Sequence, residues 1–259
     1  MRPLLGRKRI RGESDELQAL DMRVHFSGIK AIDGVDLTLS RGEILGLIGP
    51  NGAGKTTLIN ALSGFQTLIS GTVKLGDLDI TGWPPHRLAR CGLARTFQNL
   101  RIFPRLTALE NVTAGAVAVG MGRSAALVWA CEVLERMKLS TKAEILAGAL
   151  PHGEERRLGV ARALATRPQF ILLDEPAAGL NEAESQDLVT SLQDIRSSFN
   201  CGLLIIEHDM DVIMNVCDRI QVLDYGKTVK VGSASEVRHD PNVLAAYLGT
   251  EEAVSSAET

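Results

Sequence analysis

Eight consecutive residues, Gly49 to Thr56, have the pattern GxxxxGK[ST] and follow the apolar run Ile44 to Ile48. Glycines in such a loop let successive backbone N–H groups face one anion at a helix N-terminus, where the helix dipole is positive. Lys55 can then reach the outer phosphates of a nucleotide, and the Thr56 hydroxyl can ligate Mg²⁺. The alternative is a glycine loop that only turns the chain. The strand before and the helix after favour a nucleoside triphosphate site.

Two carboxylates follow a second apolar run, Phe170 to Leu173. In an open parallel sheet, ligands bind at the carboxyl ends of the strands, which is where Asp174 and Glu175 are expected. Asp174 would hold the magnesium ion, and Glu175 would orient and polarise the attacking water. The alternative is an acidic pair at a helix N-terminus, which Pro176 disfavours.

Two further polar side chains come after predicted strands. His208 follows the apolar run Leu203 to Ile206, and from the same sheet edge it could contact the γ-phosphate. Its alternative role is packing or capping. Gln98 follows a predicted strand over Leu93 to Phe97 and is a neutral side chain able to touch both metal and water.

The segment Leu150-Pro151-His152-Gly153-Glu154 places a glycine-bearing turn before a helix predicted over Arg156 to Thr166. Such a turn is either a second anion site or a plain helix start whose acidic residues offset the dipole. The spacing alone leaves these two interpretations open.

The sequence pattern also predicts the strands and helices that carry these residues. The part from Leu17 to about Leu78 is strand-rich and implies a second, smaller β layer. Between Leu109 and Ala149 the composition is typical of helices without intervening strands. Beyond it, buried strands flank a helix over Glu182 to Ser197, which predicts a parallel sheet. A hairpin through Tyr225-Gly226 and two short helices ending near Leu248 complete the pattern.

Composition narrows the possible classes of protein. The chain has 259 residues, 45% of them hydrophobic, and a net charge of −3, which argues against nucleic acid as a bulk partner. No apolar stretch approaches the roughly 18 residues of a membrane-spanning helix. Residues 1–16 are basic and are expected to form a flexible arm. The four cysteines lack metal-binding spacing and are interpreted as buried free thiols.

The ordered motifs GPNGAGKT, Gln98, LPHGE, ILLDEP and His208 resemble those of the ATP-binding cassette (ABC) family, and the resemblance covers residues 17 to 248. The stretches LARTFQNLRIFP, DEPAAGLN and IEHDM are similar to those of the ATPase subunits of branched-chain amino-acid importers. Pro151 and His152 replace the usual Ser-Gly of the signature motif, and Asn181 stands where many cassettes have aspartate.

The resemblance implies an α/β P-loop NTPase fold with a mostly parallel core sheet, an antiparallel β subdomain and a helical subdomain at about 99–150. The single domain would cover 17–250, before a flexible tail, 251–259. Phe26 would occupy the adenine-stacking position, although a core aromatic is the alternative. The implied nucleotide-binding residues are Phe26, Gly49, Asn51, Gly52, Ala53, Gly54, Lys55, Thr56 and Thr57. The implied catalytic residues are Glu175, His208 and Gln98, and the metal-binding residues are Thr56, Gln98 and Asp174.

The resemblance also implies partners. Two cassettes would pair head to tail, so that His152, Gly153 and Glu154 of one chain act on the ATP and Mg²⁺ held by the other. Permease subunits and, indirectly, a solute-binding protein would complete an importer at the cytoplasmic face of the membrane. Two alternatives stay open: an ABC ATPase that assembles a soluble complex, and a nucleotide-gated scaffold with little turnover. The transported substance is not readable from these residues.

Overall fold

The computed structural model describes residues 15–98 and 101–247, apart from the side chain of residue 211. Most of the arm predicted over 1–16, the tail predicted over 251–259 and the helix end predicted near Leu248 therefore lie outside the described residues. Glu16, assigned to the arm from the sequence, is the first residue of a strand.

The strands and helices alternate along the chain in the order expected of an α/β protein. The strands are β1 (Glu16–Phe26), β2 (Ile29–Ser40), β3 (Ile44–Ile48), β4 (Ser70–Leu75), β5 (Leu78–Asp79), β6 (Leu93–Arg95), β7 (Phe170–Asp174), β8 (Gly202–Ile206), β9 (Arg219–Asp224) and β10 (Lys227–Gly232). The helices are α1 (Lys55–Leu62), α2 (Pro85–Cys91), α3 (Ala108–Ala118), α4 (Arg123–Arg136), α5 (His152–Leu164), α6 (Glu182–Phe199), α7 (Met210–Val216) and α8 (Ala234–Arg238). A further helical segment covers 241–247.

Two sheets form the framework. The larger has the order β10-β9-β3-β8-β7-β6, and every pair from β9 to β6 is parallel. Only the hairpin pair β9 and β10 is antiparallel in that sheet. The smaller sheet, β2-β1-β4-β5, is antiparallel. This arrangement confirms the predicted α/β fold with a mostly parallel core sheet and an antiparallel β layer.

The central strands face a separate hydrophobic core on each side. Alternate residues of β7 point in opposite directions: Phe170 and Leu172 pack with α1 and the antiparallel sheet, whereas Ile171 and Leu173 pack with α3 to α7. Each of β3, β7 and β8 has five residues, and all of them are buried. Burial on both faces explains why the sequences of these strands are largely unbroken apolar runs. Their carboxyl ends are thereby fixed in place from both sides.

Helices without strands occupy the stretch between β6 and β7, as the composition predicts. α3 begins with a capping box in which Thr107 and Glu110 satisfy each other's backbone N–H groups. Across residues 101–150, α3, α4 and two short 3₁₀ turns, Ser140–Lys142 and Ala147–Ala149, pack mainly on one another and on α5. The boundaries of this region as a subdomain stay a prediction.

Three expectations were wrong in detail. β6 ends at Arg95 rather than Phe97, although the backbone N–H of Thr96 still bonds to the Leu172 carbonyl at 2.9 Å. α5 begins at His152, four residues before the predicted start. Cys131 is exposed rather than buried, because it falls beside the buried stripe of α4. Among the described residues, no helix is long and apolar enough to cross a membrane.

Candidate active site

The phosphate-binding loop connects β3 to α1 at the edge where the parallel strands end. Gly49 and Gly54 have positive φ angles of 149° and 105°. A Cβ at Gly49 would lie 2.1 Å from the Leu223 carbonyl oxygen, and one at Gly54 would lie 2.5 Å from that of Ala31. Glycine is therefore required at both positions by the close approach of neighbouring backbone as well as by conformation.

Lys55, the first residue of α1, folds back over the loop that precedes it. Its buried ammonium donates to the carbonyls of Gly49 at 2.6 Å and Pro50 at 3.0 Å. Burial lowers the pKa of Lys55, and the negative charge of Glu175 partly opposes that shift. The lysine is thus held at the centre of the loop, close to the acid that follows β7.

Glu175 is the meeting point of the residues predicted to be catalytic. Gln98 Nε2 donates to Glu175 Oε2 at 2.7 Å, and His208 Nε2 lies 2.9 Å from Glu175 Oε1. Glu175 itself has a φ of +48°, a left-handed conformation that is costly for a residue with a side chain. Three chain segments, following β6, β7 and β8, therefore converge on one carboxylate.

Two buried charged residues form hydrogen bonds that hold the backbone around Glu175 in place. Arg156, on α5, donates to the Glu175 carbonyl oxygen at 2.8 Å. Glu207 accepts hydrogen bonds from the backbone N–H groups of Ala177 and His208, which ties the turn after β7 to the end of β8. Burial raises the pKa of Glu207. Neither residue was identified from the sequence as part of the site.

Asp174, the proposed magnesium ligand, is buried at the end of β7 and forms an ion pair with Arg95 at 2.8 Å. Thr56 lies in the first turn of α1, at the same sheet edge. Among the described residues there is no cluster of three or more His, Cys, Asp or Glu side chains that could hold a metal ion. One carboxylate and one hydroxyl fit Mg²⁺, which keeps several waters and takes its other oxygens from substrate phosphates.

A cavity of about 320 Å³ opens directly over the loop. Nine of the residues predicted for the site line it: Asn51, Gly52, Ala53, Gly54, Lys55, Thr56, Thr57, Glu175 and His208. Four lining residues were missed: Ile29, Lys30, Ala31 and Tyr225. Phe26 instead ends β1 with a half-exposed side chain, so it is not a core aromatic.

Tyr225 is the largest of the missed residues. The sequence predicted Tyr225-Gly226 only as a hairpin turn. In the structure this turn rests on the loop, because the Gly226 N–H donates to the Ala53 carbonyl at 3.0 Å. The Tyr225 side chain is 82% exposed beside the cavity. A local sequence pattern cannot predict such a contact, because it joins segments that are distant in the chain.

The signature residues occupy a different surface. His152, Gly153 and Glu154 form the first turn of α5, after Pro151, which contributes no side-chain cap. Gly153 and Glu154 line a separate cavity of about 140 Å³ between α5 and α6. That cavity and the one over the loop share no lining residue. Within the part of the chain that the structure describes, the signature turn therefore does not reach its own nucleotide loop.

Asn181 lies beside the signature turn and caps α6. Its side chain accepts from the Glu184 N–H, and the Glu184 carboxylate accepts from the Asn181 N–H, each at 3.0 Å. The substitution of aspartate by asparagine at this position thus keeps a helix cap.

A glycine loop between a parallel strand and a helix, with two carboxylates at the end of another strand of the same sheet, is typical of a P-loop nucleoside triphosphatase. Comparisons narrow this class. Residues 32–178 match the sequence model of a family described as "ABC transporter". The chain therefore belongs to the ABC transporter family, and it is an ABC-type ATPase.

Similar proteins share this assignment over nearly their whole length. The chain is 39% identical over 249 residues to the high-affinity branched-chain amino acid transport ATP-binding protein BraF of Pseudomonas aeruginosa, covering 90% of this chain and 97% of BraF. It is 39% identical to LivG of Escherichia coli K12, a protein of the same description, covering 88% of this chain and 95% of LivG. The ADP conformation of MJ1267, an ABC transporter cassette, superposes with a TM-score of 0.82 at 31% identity, covering 90% of this chain and 98% of MJ1267.

Proposed function

We propose that this chain is the ATP-hydrolysing subunit of an importer for branched-chain or related amino acids, acting at the cytoplasmic face of a membrane. The observation that carries the catalytic part is the carboxylate of Glu175, held between Gln98 and His208 beside the phosphate loop. The 39% identity to BraF and LivG along nearly the full chain supports the transport role.

The proposed reaction follows from the positions of these side chains. The loop N–H groups and Lys55 bind the β- and γ-phosphates of ATP, and Lys55 leaves the carbonyls of Gly49 and Pro50 to do so. Thr56 and Asp174, with Gln98 nearby, would hold Mg²⁺, which would supply positive charge that neutralises the phosphates. Glu175 orients the attacking water and accepts its proton, and His208 contacts the γ-phosphate.

Two chains would be needed for a complete site. Gly153 and Glu154 line a cavity distinct from the one over the loop, which supports a role of the signature residues His152, Gly153 and Glu154 toward a second cassette. An antiparallel arrangement would bring each signature turn over the other chain's γ-phosphate. The partner is either a second copy or a related cassette.

A surface groove offers a docking site for the permease. It measures about 460 Å³ and runs between α2 and β6 on one side and α3 and α5 on the other. Phe65, Phe97 and Phe103 line it together with small aliphatic residues, and Phe65 and Phe103 are about half exposed. Three arginines, Arg95, Arg101 and Arg162, also border it. An apolar groove of this kind suits an amphipathic helix of a membrane subunit.

Calorimetry and a coupled ATPase assay test the catalytic proposal on the full chain. Magnesium-dependent binding of ATP and steady hydrolysis by the paired cassettes are expected. Binding without hydrolysis would favour the scaffold alternative, and a lack of ATP binding would overturn the proposal.

Co-purification from detergent-solubilised membranes tests the transport role. Permease subunits are expected to copurify with the wild-type chain and not with Phe103→Glu, which puts a charge in the groove while the ATP site is untouched. Capture of a soluble complex instead of permeases would favour an assembly ATPase. Growth on single amino acids as the nitrogen source would then identify the substrate.

A further inference from the structure

Arg95 is a buried cation behind the nucleotide site that the proposed reaction does not use. Its side chain is 7% exposed and that of its partner, Asp174, is 10% exposed. The Arg95 Nη2 donates to Asp174 Oδ2 at 2.8 Å. One oxygen of the proposed magnesium ligand is therefore already bonded to a positive charge.

The other end of the guanidinium is anchored on the helix that carries the phosphate loop's lysine. Arg95 Nη1 donates to Asn60 Oδ1 at 2.7 Å and to Ser63 Oγ at 2.8 Å. Asn60 lies one turn after Thr56 on α1, so the two side chains share a helix face. Arg95 thereby links the face of α1 that bears Thr56 to the carboxylate at the end of β7.

Aromatic rings cover this arginine. The guanidinium lies 4.9 Å from the ring centre of Phe97 and 5.6 Å from that of Phe65, and the two rings pack edge to face. The rings and the low exposure of the Arg95 side chain limit how far water screens its charge, although Arg95 also borders the surface groove described above. Charges buried in this way act on one another much more strongly than charges on the surface.

We propose that Arg95 is an internal counter-ion of Asp174 that sets the Mg²⁺ concentration at which the site fills. The inference rests on the proposed role of Asp174 in holding the metal. The guanidinium occupies one carboxylate oxygen and repels a dication, so the protein side chains alone bind Mg²⁺ weakly. The phosphates of ATP add the negative charge that overcomes this repulsion, so the metal enters together with the nucleotide.

A purely structural role makes a different prediction. As a link between α1, β6 and β7, Arg95 would affect stability, and its loss would lower the melting temperature without changing the response to Mg²⁺. A dependence of Mg²⁺ binding on this residue separates the two roles.

The test is thermal unfolding of the full chain titrated with Mg²⁺ alone, in the absence of nucleotide. In Arg95→Met the half-saturating Mg²⁺ concentration is expected to fall at least ~10-fold. Arg101→Met is the matched control: its guanidinium lies 4.1 Å from the same Phe97 ring, and no bond to Asp174 is described for it. The control should respond to Mg²⁺ as the wild type does. The double variant Arg95→Met/Asp174→Asn should not show the fall in half-saturating Mg²⁺ concentration.

Unchanged Mg²⁺ binding in Arg95→Met would overturn the inference, as would an equal change in Arg101→Met. If Arg95→Met does not fold, Arg95→Lys decides the question. Lysine keeps the charge but cannot bond Asp174, Asn60 and Ser63 together, so a smaller fall in half-saturating Mg²⁺ is expected, and no fall would overturn the inference. Calorimetry of the wild type with ATP and Mg²⁺ is a separate measurement. A lack of ATP binding there would overturn the proposed function, independently of the result for Arg95→Met.

Discussion

The nucleotide loop and the signature turn differ in how much of a site each completes within one chain. Around the loop, Lys55, Gln98, Glu175 and His208 are already joined by hydrogen bonds or lie in one cavity. Around the signature turn, Gly153 and Glu154 line a small cavity of their own and contact no residue of the loop among the bonds described. The difference teaches that one chain holds the residues around its nucleotide loop together, whereas its signature turn is left for the second cassette proposed above.

The largest expected effect comes from Glu175→Gln. The amide keeps the size of the side chain but cannot accept a proton from water, so hydrolysis should fall at least ~10²-fold while ATP binding is retained. Steady-state ATPase and calorimetry measure the two quantities. Glu182→Gln, on the exposed start of α6, is the control and should behave as the wild type. Unchanged hydrolysis in Glu175→Gln would remove this residue from its role.

Gly153→Ala should impair the signature turn at the start of α5. The new Cβ would lie 2.7 Å from Glu184 Oε1, within the capping box of α6, so either the signature turn or the Glu184 carboxylate must shift. Binding of ATP should persist, and hydrolysis should fall by about tenfold, the effect of one misplaced group. Gly122→Ala, where a Cβ meets nothing within 4 Å, is the control.

Mixing variants sharpens the comparison. If the cassette pairs with a second copy of itself, a mixed dimer can carry Glu175→Gln in one chain and Gly153→Ala in the other. Both defects then fall in the same composite site, and the other composite site is intact. Hydrolysis should therefore recover above that of either variant alone. No recovery would argue that each signature turn serves the loop of its own chain.

A smaller effect is expected from Tyr225→Ala. Because the tyrosine lines the cavity, we expect its ring to contribute to binding of the adenine or ribose, in addition to or in place of Phe26. ATP affinity should fall by about fivefold, corresponding to ~1 kcal/mol of stacking. Tyr225→Phe keeps the ring and should bind normally. A larger loss in Phe26→Ala would support the adenine-stacking position predicted for Phe26 from the sequence.

The smallest effect is a change in the pH dependence of stability. Since burial raises the pKa of Glu207 above its usual 4.5, ionising it costs folding free energy. Its favourable contribution is present below pH 4.5 and is lost as the pH rises through the raised value. Glu207→Gln cannot ionise, so the wild type should lose stability relative to this variant over that interval. Urea unfolding at several pH values measures the difference, and a constant difference would contradict this account.

The sequence predicts features that depend on local pattern. The loop from Gly49 to Thr56, the strands buried on both faces and the position of Glu175 at a strand end all follow from spacing and periodicity. The start of α5 does not, because Pro151 has no side-chain oxygen to mark an N-cap. Helix boundaries without a capping residue are poorly encoded.

Contacts between distant segments escape such reasoning. Arg95 and Asp174 are 79 positions apart, and Arg156 meets the Glu175 carbonyl only because α5 packs behind β7. The position of Tyr225 likewise depends on backbone bonds that Gly226 forms with Ala53 and Asp33. The sequence indicates the candidate site residues, but it does not indicate the residues that hold them in position.

The folded-back Lys55 has a consequence for turnover. Its ammonium already has two carbonyl partners in the loop, so an arriving triphosphate competes with the protein for the same donor. Binding exchanges one set of hydrogen bonds for another instead of satisfying a bare charge, which moderates affinity. When the diphosphate departs, the amine can return to Gly49 and Pro50 without leaving a buried charge alone. Under the proposed function, such a built-in competitor would favour rapid product exchange over tight retention.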